Sequence, residues 1–280
     1  MFPLTALTIK ESIGKKILLA IFISATLFLL LILFFLTLDV VDGAKTYVQF
    51  LGIREAVENG KDTSEIISKN MKEVVTLIQA GIGGITYGMG IFLTLFATSD
   101  LFPSMIKKGY IDLIVSKPFS RTRLFNERVL GSLIIVSALI LYIVVGSWLI
   151  ISWKSGVWNY SFLLSSLMII IIYSILYMYV LFFSLLTGNG RFGLIITYGM
   201  IVISPILLAR EKLLSLLGNS WSFLFDTLYY IIPKVSHLGE IVVNLIRGKE
   251  INDFSPLLIT IVGGVIMYFI NLYIFNKKDF

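Results

Sequence analysis

Residues 17–38 read ILLAIFISATLFLLLILFFLTL, 22 positions without a charged side chain. A helix rises about 1.5 Å per residue and needs about 20 apolar residues to cross the hydrocarbon of a bilayer. Five further stretches have the same character: 74–99, 129–151, 162–186, 192–208 and 257–275. Their apolar residues run on without alternation. Only helices or closed barrels satisfy the backbone in lipid, so the runs are read as helices. The expected fold is an all-α integral membrane protein, a single transmembrane domain over 1–280 with six spanning helices. Composition agrees: 57% of residues are hydrophobic and 14% charged, against about 45–50% and about 25% in soluble domains. The first run is longer than the roughly 7–15 residues of a signal peptide's apolar core, and DVVDG follows it instead of a cleavage site. It is expected to be retained.

Charge placement orients the spans. With the N-terminus in the cytoplasm, twelve of the 23 basic residues and five of the 17 acids fall inside. The inner surplus of positive charge is what the positive-inside rule asks for. Both termini are therefore expected on the cytoplasmic side of an inner or plasma membrane. The stretch 213–232, LLSLLGNSWSFLFDTLYYII, competes as a seventh span but contains Gly218, Asn219 and Asp226. It is read as apolar outer helices between spans five and six, half-inserted or packed on the surface. The other outer segment, 39–73, is polar and mixed in charge. Asp62 and Glu65 fit a capping box, and Ile67, Met71, Val74 and Ile78 fall near one helical face that can run straight into span two.

Most chemistries lack their residues. With no cysteine and one histidine, His237, no metal site is expected and no triad assembles. GKD at 60–62 lacks the spacing of a phosphate-binding loop. The chain is not expected to be an enzyme, to hold a cofactor or to bind nucleic acid. Ion-coupled transporters usually place Asp, Glu, His or Lys within spans, and the six runs contain no charged residue. An ATP-independent secondary transporter or channel, or a membrane scaffold that transports nothing, remains the alternative to a transporter driven by another subunit.

Three segments carry more specific signals. In AGIGGITYGMG, Ala80, Gly84 and Gly88 recur every four residues, as in a close helix seam, either between two copies or within one bundle. In MFPLTALTIKESIGKK, Leu4, Leu7 and Ile9 precede Lys10, Lys15 and Lys16, a pattern for a helix lying at the inner interface among anionic lipids. The third lies between spans two and three, in 100–128. There KKGYIDLIVSKPFSRTRLFNERVLG mixes six basic residues with apolar ones. Pro118 disfavours helix at the residue before it, and Ser120 can cap a helix starting at Arg121 that feeds span three. A solvated basic loop and a docked helical elbow are both compatible with this composition.

DLIVSKPFSRTRLF resembles the first cytoplasmic loop of the ABC-2 type transporter permeases. LTIKESIGKK is similar to that family's N-terminal elbow helix, and YIFNKKDF to its closing aromatic and basic residues. The chain departs from the family at SDLFPSMIKKG, where many relatives carry a more acidic run. The resemblance implies the membrane subunit of an ABC exporter, with ATP and Mg on a separate ATP-binding subunit docked on the 100–128 loop. It implies that Asp112, Ser116, Lys117, Pro118 and Arg121 form the coupling contact or its hinge. It also implies a second permease copy, as a homodimer or heterodimer.

Overall fold

The computed structural model describes residues 3–14, 16–41, 45–50, 53–58, 64–106, 120–208, 232–251 and 253–278, with 223, 227 and 229. Helix α1 is Pro3–Ile13 and α2 is Lys16–Phe35. Three strands follow: β1 Leu36–Val41, β2 Lys45–Phe50 and β3 Ile53–Glu58. Next comes a long rod made of α3 (Ser64–Ile85), a π turn (Thr86–Gly90) and α4 (Ile91–Thr98). A 3₁₀ turn at Pro103–Ile106 closes that part. The remaining helices are α5 Arg121–Ser155, α6 Tyr160–Thr187, α7 Gly190–Leu208, α8 Val235–Arg247 and α9 Ser255–Lys277.

Six of these helices are long and apolar enough to cross a membrane: α2, the α3–α4 rod, α5, α6, α7 and α9. The chain is a multi-pass membrane protein whose spanning part is all helical. To that framework the structure adds an antiparallel meander in the order β1-β2-β3, with Leu36 opposite Phe50 and Lys45 opposite Glu58. The meander also shortens the first span. The apolar run continues to Leu38, but α2 ends at Phe35 because Leu36 is already the first residue of β1. Lys154, near the end of α5, donates to the carbonyls of Leu33 and Leu36, the latter at 2.6 Å. A cation on the last carbonyls of a helix offsets their partial negative charge.

Packing centres on α6. About two thirds of its apolar window is buried, against 17% for α9, so α6 is the hub and α9 a peripheral helix. Lipid tails are as apolar as leucine, so helices in a bilayer associate through close packing and a few polar bonds. Both are present on α6. A Cβ added at Gly264 of α9 would lie 2.7 Å from Ile175, so glycine is what lets the two helices approach. Tyr173 and Tyr177 are fully buried and bond sideways, Tyr173 to Thr98 at 2.8 Å and Tyr177 to Ser132 at 3.1 Å. Asn271 of α9 donates to the carbonyl of Met178 at 2.8 Å. Gly188, at φ +70°, ends α6 in the left-handed conformation that suits glycine.

Between α7 and α9, α8 lies along α3 rather than across the bundle. Its Val235 carbonyl accepts from the Tyr87 hydroxyl, while Ile246, eleven residues on, packs over Gly83. His237 of this helix is half-buried, its ring edge-on to Tyr229. Most of 213–232, the candidate seventh span, lies outside the described residues.

Candidate functional site

At 35 residues, α5 is about 52 Å long, well beyond the roughly 30 Å of hydrocarbon. Its first turns therefore project past the apolar run, at the end of the bundle where both chain termini gather. The helix starts at Arg121, as the Ser120 signal predicts: the Ser120 hydroxyl accepts from the Arg123 N–H at 3.3 Å. Arg121 donates to the carbonyls of Asn276 and Lys278 at 3.0 and 2.9 Å. It thus neutralises the carboxy-terminal end of α9 while standing at the amino-terminal end of α5.

Nearly two turns further on, two charged side chains are almost fully buried. Glu127 is 1% exposed and Arg128 2%. The Glu127 carboxylate accepts from the Leu4 N–H at 2.8 Å and from Arg123 Nε at 2.6 Å, and its carbonyl accepts from the Thr5 hydroxyl at 3.0 Å. It serves as the cap of α1, since a carboxylate at the start of a helix satisfies donors that have no partner inside it. Arg128 donates to Thr8 Oγ1 at 3.1 Å, to the Leu101 carbonyl at 3.2 Å and to the Glu11 carboxylate. A buried charge is tolerated only when paired and hydrogen-bonded, and these three partners come from α1 and from the end of the α3–α4 rod. Close approach is possible because residue 131 is glycine: a Cβ there would lie 2.6 Å from Thr8 Cβ.

Aromatic rings complete the junction. Phe102 meets Phe125 at 5.3 Å and Phe275 at 5.5 Å, and Phe125 meets Phe275 at 5.7 Å, in edge or tilted contacts. Such pairs contribute about 0.5–1.5 kcal/mol each beyond area burial. Phe102 precedes the 107–119 segment and Phe125 follows it. The two attachment points of that segment are therefore locked together, by rings and by the Arg128–Leu101 bond. Beside them, Asp100 and Arg191 approach to 3.7 Å across a polar cavity of about 420 Å³ lined by Ser104, Gly188 and Asn189.

Of the residues singled out in sequence, Arg121 sits in this junction, and Asp112, Ser116, Lys117 and Pro118 lie outside the described residues. The glycine stripe divides. Ala80 is buried and Gly84 lies against Val243 of α8, while Gly88, within the π turn, is exposed with open space around it. Glu11, Phe125 and Phe275 lie within stretches quoted for the resemblance but were not singled out, and Phe102, Glu127 and Arg128 lie outside those three stretches. The one local sign is NERV at 126–129, an adjacent acid and base entering an apolar run. Among the described residues no three His, Asp or Glu side chains converge as metal ligands, and the junction's contacts tie α1, α5, α9 and the end of the α3–α4 rod together.

The chain matches no protein-family model, no curated protein and no solved structure.

Proposed function

We propose that this chain is the permease subunit of an ATP-binding-cassette exporter, with both termini and the 107–119 segment in the cytoplasm. In this reading a separate ATP-binding subunit grips the segment through Asp112, Ser116, Lys117 and Pro118, and Arg121 forms its hinge. ATP and Mg²⁺ act on that partner. A second permease copy completes the pathway, with Gly88 and its exposed surroundings as the candidate seam.

One observation carries the proposal. The two ends of the 107–119 segment are clamped to each other, to α1 and to α9 by a buried ionic and aromatic junction. A push on a loop with loose ends is dissipated in the loop. A push on this one moves α5 and the α3–α4 rod as a unit. The resemblance of DLIVSKPFSRTRLF to the permease loop supplies the identity of the pusher.

The test is co-purification with candidate ATP-binding subunits, for the native chain and for Lys117→Glu with Arg121→Glu. The charge reversals are expected to weaken the complex while membrane insertion stays normal, and the assembled complex is expected to show ATPase activity that responds to the permease. Transport by the isolated chain without nucleotide would instead favour the ATP-independent alternative.

A further inference from the structure

An apolar groove of about 480 Å³ runs between α1, α2 and α5, within the size range of small-molecule sites. Ile9, Ser12 and Ile13 line it from α1, Leu19 and Phe22 from α2, and residues 134 to 142 from α5. It extends about 12 Å along α5, at 1.5 Å per residue. Ile13, Leu19, Phe22 and Ile134 are exposed along it, so it opens to the lipid side. Two features are out of place in a plain helix crevice. Ser12 is fully buried in its wall, and its hydroxyl finds no hydrogen-bond partner among the described residues. Lys10 and Lys16 stand exposed near the junction of α1 and α2, one residue after Ile9 and two before Leu18 of the groove lining. The nearby acid, Glu11, is engaged by Arg128 and does not cancel them.

We propose that the groove is a binding site for one anionic glycerophospholipid. An acyl chain lies along α2 and α5, an ester carbonyl accepts from the Ser12 hydroxyl, and the phosphate meets Lys10 and Lys16. A zwitterionic lipid offers the same chain and ester but no net charge to the lysines. The proposal requires only that the six helices cross a bilayer, so it stands or falls apart from the exporter reading.

The experiment is native mass spectrometry of the detergent-purified chain with dioleoyl-phosphatidylglycerol or dioleoyl-phosphatidylcholine at matched concentration. The native chain is expected to retain one phosphatidylglycerol in preference to phosphatidylcholine. A basic residue near an anionic headgroup contributes about 1 kcal/mol, so Lys10→Gln with Lys16→Gln is expected to cut the preference roughly 30-fold. Ala138→Trp, which fills the groove, is expected to abolish retention of that lipid. Equal retention of the two lipids by the native chain overturns the proposal. So does undiminished retention by Ala138→Trp. Should the tryptophan variant fail to fold, the lysine variants decide, because both side chains are exposed.

Discussion

Replacing Arg128 with methionine keeps most of the aliphatic stem and removes the charge that ties α1 to the bundle. The Arg128 side chain is 2% exposed and that of its partner Glu11 30%. Breaking a fully buried ion pair by removing one member costs about 3–5 kcal/mol. Glu11 is partly exposed and regains water when α1 lifts, so the cost here falls to about 2 kcal/mol. That corresponds to a roughly 30-fold larger population with α1 detached. The natural absence of cysteine makes this measurable. A single Leu4→Cys probe lies on the buried face of α1, and its reaction with a water-soluble maleimide requires α1 to open. When opening is fast relative to labelling, the rate follows the open population. Labelling is expected to accelerate about 30-fold in Arg128→Met relative to the Leu4→Cys parent. Adding Glu11→Gln is expected to change the Arg128→Met rate far less than it changes the parent's, because coupled residues are not additive. Rates within twofold of the parent, or strict additivity with Glu11→Gln, would refute the assignment of Arg128 as the tie.

Gly131→Val is expected to raise the same labelling rate by a steric route. Its Cβ meets Thr8 at 2.6 Å, and overpacking costs about 1–3 kcal/mol; Gly131→Ala is expected to fall between. Asp253 gives a pH signature. Its carboxylate accepts the Ser255 N–H at 2.8 Å and the Ser255 hydroxyl at 2.9 Å, which together hold its pKa below the ordinary carboxylate value. A depressed folded-state pKa means the contribution is present above the unfolded value and lost as pH falls through the folded one. The start of α9 is therefore expected to fray only in the acid range, as a carboxyl-carbon NMR titration of Asp253 reads directly, and Ser255→Ala is expected to move that titration upward. Tyr173→Phe removes the bond to Thr98 and is expected to lower stability by about 0.6 kcal/mol, the average for such bonds between spanning helices, read by detergent unfolding.

The spans and the Ser120 cap were legible because each depends on neighbouring residues: an unbroken apolar run, or a hydroxyl one residue before a helix. The continuation of α3 into span two was legible for the same reason. The meander was not, although signs were present. LTLDVV, KTYVQF and IREAVE are rich in β-branched residues, and Asp42–Gly43 is a hairpin dipeptide. Mixed charge and the apolar tail of the first run masked them. The junction was illegible for a different reason. Arg128 lies 117 residues from Glu11 and 27 from Leu101, and in sequence its charge is indistinguishable from the basic excess of any inward-facing loop. What turns it into a buried tie is the length of α5 and the glycine at 131, neither of which signals a partner.

The π turn at Thr86–Gly90 has a consequence for any tryptophan scan of this helix. Each such turn inserts one residue into the winding, and one residue is worth about 100° of rotation. Tolerance and intolerance along 74–98 are thus expected to follow one helical wheel up to Ile85 and another, swung by roughly a quarter turn, from Ile91 onward. A single wheel set on the positions up to Ile85 would misplace the eight from Ile91 to Thr98 by about that angle.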